Sequence, residues 1–265
     1  MRLLEIVREA LWPRRVICLC CGRPAHGGDL CEACEAALAA LRVPGPVCRA
    51  CGHPLEEGRC AFCDGKGNVT LRSAWVYRDE ARHLVHALKF SGVAEAAQVL
   101  AEGMADAARA LALPPETVIT WPTMPAARRR ERGIDHGALL ARAVGERLGL
   151  PARQLLARSE RIARDTQAES SRAERLTRLD GAFSCPEPVR GPVLLVDDVT
   201  TTGATAMTCA ACLLEAGASS VTVVTAAQTP RKENQNGRDV RGYAVEKGAD
   251  VADIRAGGGQ RGADG

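Results

Sequence analysis

No apolar run in the sequence approaches the length of a membrane span, so insertion of a helix into a bilayer is not expected. A secretory signal is missing as well. Arg2, Glu5, Arg8 and Glu9 interleave with Leu3, Leu4, Ile6, Val7 and Leu11, which predicts a short amphipathic helix within residues 1–17 instead of an apolar signal core. The expected compartment is therefore the cytoplasm, where clustered cysteines hold metal more often than disulfides. Aromatic residues are scarce, at 3% of the chain, which leaves few stacking platforms for single-stranded nucleic acid. No G-x-x-x-x-G-K-[ST] is present and no G-x-G-x-x-G follows a strand, so the common nucleotide-binding loops are excluded. No helix-turn-helix signal is found. The net charge of +3 is too small to argue for a nucleic-acid partner.

Cysteine, in contrast, is concentrated. Nine of twelve precede residue 64, and eight of these form four C-x-x-C pairs: Cys18/Cys21, Cys31/Cys34, Cys48/Cys51 and Cys60/Cys63. Each pair resembles a zinc knuckle, with Gly22 and Gly52 placed where knuckles turn, and two pairs complete one closed tetrahedral site. Residues 18–65 are thus expected to form a double zinc ribbon holding two structural Zn2+ ions. Sequential pairing closes the shorter loops and is favoured on entropy, with interleaved pairing left open. A segment with so little apolar material depends on metal, at roughly 10–16 kcal/mol of apparent binding free energy per site. Cys20 is a spare thiol. His26 and His53 are alternative ligands that the cysteine count does not require.

Beyond a glycine-rich linker at Asp64–Asn68, the apolar patterns alternate between strand and helix. Strands are expected at residues 73–77 and 117–121, and helices at 82–90 and about 94–112, with a further helix ending at Leu148. Residues 128–178 contain thirteen arginines, no lysine and seven acidic residues, a local excess of six positive charges. Solvated helix faces account for part of this excess. The remainder suits neutralisation of a pyrophosphate or a nucleic-acid backbone by guanidinium forks. Residues 158–183 lack apolar periodicity and read as a flap. Cys209 and Cys212 repeat the C-x-x-C spacing but fall on a helix packed against the sheet, and are read as core. Residues 229–265 have the composition of a disordered tail.

The most informative stretch is Val193-Leu-Leu-Val-Asp-Asp-Val-Thr-Thr-Thr-Gly-Ala-Thr205. Val193 to Val196 form an unbroken apolar run, as in a strand buried on both faces. A helical pattern follows (Ala206, Cys209, Ala210, Leu213, Leu214), stopped by Gly217, and then a second apolar run from Val221 to Ala227. The loop between strand and helix therefore sits at the carboxyl end of a strand, where open α/β sheets bind ligands. Thr200, Thr201, Thr202, Gly203, Ala204 and Thr205 are small, so backbone N–H groups and the helix dipole can converge on one anion. Asp197 and Asp198, ionised at neutral pH, suit two adjacent hydroxyls. Phosphate next to a diol describes a ribose 5-phosphate.

This stretch resembles the loop that binds phosphoribosyl diphosphate (PRPP) in type I phosphoribosyltransferases. Together with the cysteine pairs, the Ala87-Leu-Lys-Phe90 segment and a basic segment ending in Arg132-Gly133, it resembles the ComF family of competence-associated proteins across about residues 16–228. The resemblance implies an α/β fold, a type I phosphoribosyltransferase-like parallel sheet flanked by helices over residues 70–228, behind the N-terminal double zinc ribbon. It also implies PRPP bound with Mg2+, the ion being held mostly by substrate oxygens. Arg128, Arg132 and Arg175 are the arginines expected to meet pyrophosphate or nucleic acid. No general base stands out. The family also implies an alternative, a non-enzymatic accessory to DNA uptake in natural transformation, with single-stranded DNA and a DNA-uptake helicase as partners. The chain departs from the family where Arg-Gly-Phe-Asn-Gln is common and Arg132-Gly-Ile-Asp-His136 stands here. It departs again at Trp121-Pro-Thr-Met124 and at Arg178.

Overall fold

The computed structural model describes residues 16–25, 28–55, 57–60, 69–90, 93–125, 128–130, 133–158 and 182–230. The N-terminal helix within 1–15, the linker, His26, Cys63, Arg132, the flap across 159–181, Arg175 and the tail from 231 onward lie outside the described residues.

The order of elements is β1 (Val16–Ile17), β2 (Pro24–Ala25), α1 (Glu32–Ala40), β3 (Val69–Val76), α2 (Asp79–Phe90), α3 (Ala94–Arg109) and β4 (Val118–Thr120). Then follow α4 (His136–Leu148), β5 (Ala157–Arg158), β6 (Phe183–Ser184), β7 (Pro192–Thr200), α5 (Ala204–Glu215) and β8 (Ser220–Gln228). Strands β3, β8, β7 and β4 form a four-stranded sheet in that order, and every neighbouring pair is parallel. The expected fold class is therefore the observed one, a parallel sheet flanked by helices with an N-terminal cysteine module. Val16 and Ile17, assigned from sequence to the end of the N-terminal helix, instead pair antiparallel with Ala25 and Pro24. The two β-branched residues lie more naturally in the short ladder that closes the first knuckle.

Period-two alternation in the central strands builds two cores. Leu194 and Val196 of β7 and Val224 and Ala226 of β8 face α2, α3 and α4, packing with Leu84, Leu88, Leu100, Met104, Leu140 and Val144. Val193 and Leu195, with Val221 and Val223, face α5 and pack with Ala206, Cys209, Ala210 and Leu213. Cys209 is fully buried, and the Cys212 thiol donates to the Phe183 carbonyl at 3.4 Å, so both cysteines serve packing.

Neither edge of the sheet is left bare. Along β3, Val43 N–H donates to Ala74 O, Val76 N–H to Leu41 O and Leu71 N–H to Arg49 O, at 2.8–3.1 Å. The Arg72 guanidinium also donates to Cys48 O at 2.9 Å. The cysteine module thus covers an edge that would otherwise pair with other chains. At the opposite edge, Ile119 of β4 exchanges backbone hydrogen bonds with Pro151 and Arg153 at 2.8 Å.

Candidate functional site

Strand β7 is longer than its apolar run suggests. Its ladder with β8 continues from Pro192↔Ser220 to Thr200↔Gln228, so Asp197 and Asp198 lie within the strand, not beyond it. Thr200, expected in the loop, is the last strand residue and is buried, and its carbonyl accepts from Thr229 N–H at 3.0 Å. The loop proper is Thr201–Gly203. Gly203 is the N-cap of α5 with φ 77°, a left-handed conformation that favours glycine. The Thr202 hydroxyl accepts from Ala204 N–H at 3.3 Å and so caps the first turn from inside the loop. The other N–H groups of that turn have no intrahelical partner by helix geometry, and Thr205 stands among them. The helix dipole adds partial positive charge at the same point.

Because both acids are in a strand, they serve opposite faces of the sheet. Asp198, buried, meets α2 and α4: Lys89 Nζ is 2.7 Å from Oδ1 and His136 Nε2 is 3.1 Å from Oδ2. Burial alone would raise the Asp198 carboxyl, but the His136 hydrogen bond and the Lys89 charge outweigh it and hold it below the ordinary carboxylate range. Asp197 lies on the α5 side. Burial, reinforced by the neighbouring Asp198 charge, pushes it up to about 7, although Asp198 N–H donates to its Oδ1 at 2.9 Å. The expectation that both are ionised at neutral pH therefore fits Asp198, whereas burial beside that charge favours the protonated form of Asp197.

His136 is the first residue of α4, and its placement follows from the local sequence. Gly133, at φ 72°, ends the turn that contains Arg129, its N–H donating to Arg129 O at 3.0 Å. Asp135 then caps α4 by accepting from Ala138 N–H at 3.0 Å. Asp is a strong N-cap, which suits it to start a helix directly after the turn. Lys89 sits in the last turn of α2 beside Phe90, an exposed aromatic whose ring lies 5.3 Å from that of His86.

Sequence reasoning missed Lys89 and His136 as site residues. The ion pairs join segments far apart in the chain, and the only prior signal was that both fall in motif segments. It also missed Arg158. Its half-buried guanidinium lies 5.2 Å over the Phe183 ring, held below its ordinary range by burial and by the nearby Arg128 charge. Arg128 itself is exposed. These two arginines place positive charge on the α5 side of the sheet, the side of Asp197.

The thiols group sequentially. The sulfurs of Cys18, Cys21, Cys31 and Cys34 all lie within 4.8 Å of one another, as do those of Cys48, Cys51 and Cys60. This settles the pairing left open by spacing: first pair with second, third with the described member of the fourth. The first set is a complete tetrahedral donor set for Zn2+, and the second lacks only Cys63, outside the described residues. Arg23 Nε donates to Cys21 Sγ at 3.4 Å, which favours a thiolate there. His53 Nδ1 lies 3.2 Å from Cys51 O, so it braces the knuckle. Cys20 stays outside the cluster, its thiol 3.8 Å from Glu80 O and pushed up to about 12 by burial.

A family model described as a double zinc ribbon domain matches residues 7–65. The DNA utilization protein YhgH of Salmonella typhi is 32% identical over 221 residues, which cover 78% of this chain and 94% of that protein. Competence protein ComFC of Bacillus subtilis (strain 168) is 27% identical over 200 residues, covering 71% and 79% respectively. Among solved structures, glutamine PRPP amidotransferase from B. subtilis, complexed with ADP and GMP, aligns at a TM-score of 0.39 with 21% identity, over 65% of this chain and 37% of that one. Among the described residues no helix is long and apolar enough to cross a membrane.

Proposed function

The chain belongs to the ComF family, and on that footing we propose that it binds PRPP with Mg2+ and transfers ribosyl 5-phosphate to a nucleophile, which bonds to the ribosyl carbon as pyrophosphate leaves. The observation that carries this reading is the joining of β7 to α5. A left-handed glycine, small hydroxyl residues and a helix N-terminus gather beside two carboxylates of unequal protonation. In this reading Thr201, Thr202, Gly203, Ala204 and Thr205 receive the 5-phosphate, and buried Thr200 positions the loop behind them. Asp197 and Asp198 receive the ribose hydroxyls. With its carboxyl raised by burial, Asp197 can donate to a hydroxyl oxygen when protonated and accept from one when ionised.

The pyrophosphate half of the ligand falls to Arg128, Arg132 and Arg175. As the C–O bond to pyrophosphate breaks, negative charge grows on the leaving group and positive charge on the ribosyl carbon. Fixed cations and carboxylates around those atoms lower the barrier electrostatically. Mg2+, held mostly by substrate oxygens, would add charge on the leaving group. Residues 70–228 form the ribosyl-binding unit in this scheme, and residues 18–65 a zinc-held cover on its edge.

A second reading, an accessory that binds single-stranded DNA in the cytoplasm during uptake, is favoured by the similarity to a DNA utilization protein and a competence protein. Exposed Phe90 beside Lys89 is a base-stacking surface that fits it. Calorimetric titration of PRPP–Mg2+ and of an oligonucleotide against wild type and D197N/D198N separates the two. PRPP binding that the double variant loses supports the first reading, and absence of PRPP binding at millimolar concentration overturns it.

A further inference from the structure

The imidazole of His136 is engaged on one side only. Nε2 meets Asp198, whereas Nδ1 is buried and has no partner among the described residues. Trp121 Nε1 and Thr123 Oγ1 are buried and unpartnered among the described residues in the same way. The Trp121 indole lies against the start of α4, where a Cβ added to Gly137 would stand 2.9 Å from Trp121 Cδ1. Three polar atoms from the end of β4 and the start of α4 therefore lack protein partners among the described residues, and one of them belongs to the ring that holds Asp198. Buried polar groups are rarely left unpaired, so this grouping points to ligand oxygens.

The kinds of donor narrow the ligand. Indole N–H only donates, and a hydroxyl does either. With Nε2–H committed to Asp198, a neutral His136 presents a bare lone pair at Nδ1, and only the protonated ring presents N–H there. An anionic oxygen accepting from Trp121 would be repelled by the first form and bound by the second.

Of the charges facing the ring, Asp198 favours its protonation and Lys89 opposes it. Asp198 and Lys89 stand on its β7 and α2 sides, the β4 segment contributes no charge, and Asp135 on its own helix is occupied by Ala138 N–H. Asp197 serves the other face of the sheet.

We propose that His136 is the residue through which this site takes up a proton when it binds a phosphate or pyrophosphate oxygen. The proton comes from solvent and resides on Nδ1. It is donated to the ligand oxygen while Nε2–H stays on Asp198. No bond of the ligand changes in this step. A glutamine at this position could also donate to Asp198 but could not titrate, so the linkage depends on the histidine. The inference rests on the ligand-binding reading of the site, though not on PRPP being the ligand.

The test is proton counting by isothermal titration calorimetry of the full chain in two buffers of different ionisation enthalpy. PRPP–Mg2+, pyrophosphate–Mg2+ and a single-stranded oligonucleotide serve as three arms, with wild type compared to H136Q. In parallel, the 15N resonances of His136 are titrated with and without pyrophosphate. Wild type is expected to take up more protons per bound ligand than H136Q, by a sizeable fraction of one, and its His136 resonances to titrate at higher pH with ligand present. If pyrophosphate or the oligonucleotide gives this result while PRPP fails to bind, the PRPP reading falls and the role of His136 stands. Equal proton counts for every ligand that binds, or a His136 titration that no ligand moves, overturn the role of His136 whatever becomes of PRPP. If H136Q does not fold, H136N supplies the assignment and the wild-type resonance titration decides the matter.

Discussion

Lys89 Nζ stands 2.7 Å from Asp198 Oδ1, an ion pair that joins the last turn of α2 to the carboxyl end of β7. With His136 on the other oxygen, both oxygens of a buried carboxylate are held by donors from two different helices. Removing one partner of such a pair leaves charge in a poorly solvated place, and His136 offsets only part of it. K89M is expected to lower stability by about 2–3 kcal/mol, somewhat below the range for a pair left wholly uncompensated. Denaturant unfolding of K89M, D198N and the double variant measures this. Strictly additive effects would show that the two side chains do not couple.

The two acids are expected to respond oppositely to pH. A carboxyl raised to about 7 binds more protons folded than unfolded between roughly pH 4 and 7, so folding loses stability as pH rises through that interval. D197N should therefore be more stable than wild type at pH 8, on the order of 2 kcal/mol once solvent access to Asp197 is allowed for, with the difference fading toward pH 4. Asp198, held low, contributes stability that is present above the ordinary carboxylate range and lost as pH falls below it. D198N should be destabilised at pH 7 and approach wild type in acid. Thermal melts of D197N across pH 4–8 and of D198N from pH 7 down to about pH 2 check the signs, and parallel trends would contradict the assignment.

Zinc content should follow the sequential grouping of the thiols. The wild-type chain is expected to bind two Zn2+, C31S to keep only the second site and C60S only the first. C20S should keep both, because its sulfur is outside the clusters. Elemental analysis after gel filtration reads this directly. Chelation should also loosen the β3 edge, since the backbone bonds that cover it come from within the module, and amide exchange at Leu71 and Val76 would report the change.

The α3–module contact offers a steric test. A Cβ on Gly103 would lie 2.2 Å from Trp75 Cη2, the ring that also carries the Arg42 guanidinium at 4.7 Å. G103A cannot be absorbed without moving a buried indole, and a loss of about 3 kcal/mol is expected from overpacking. A melting temperature unchanged from wild type would mean that the indole has room to shift.

Much of this protein could be read from its residues in order. The apolar runs at Val193–Val196 and Val221–Ala227, the helical spacing between them and the small residues of the loop are local signals, and the parallel β7–α5–β8 unit follows from them. The four C-x-x-C pairs likewise announce two metal sites, because ligand spacing within a knuckle is a matter of a few bonds. Tertiary structure alone decided which pairs share an ion, which face of the sheet each aspartate serves, and what stands beside it. Asp197 and Asp198 are adjacent in sequence and look equivalent there. Strand pleating turns them apart, and helices that begin or end far away in the chain bring Lys89 and His136 to one of them. That pairing holds one carboxylate ionised, while burial raises the other above the ordinary carboxylate range. The physical reason is that protonation depends on solvation and on charges within a few ångströms, and neither is a property of neighbours along the chain.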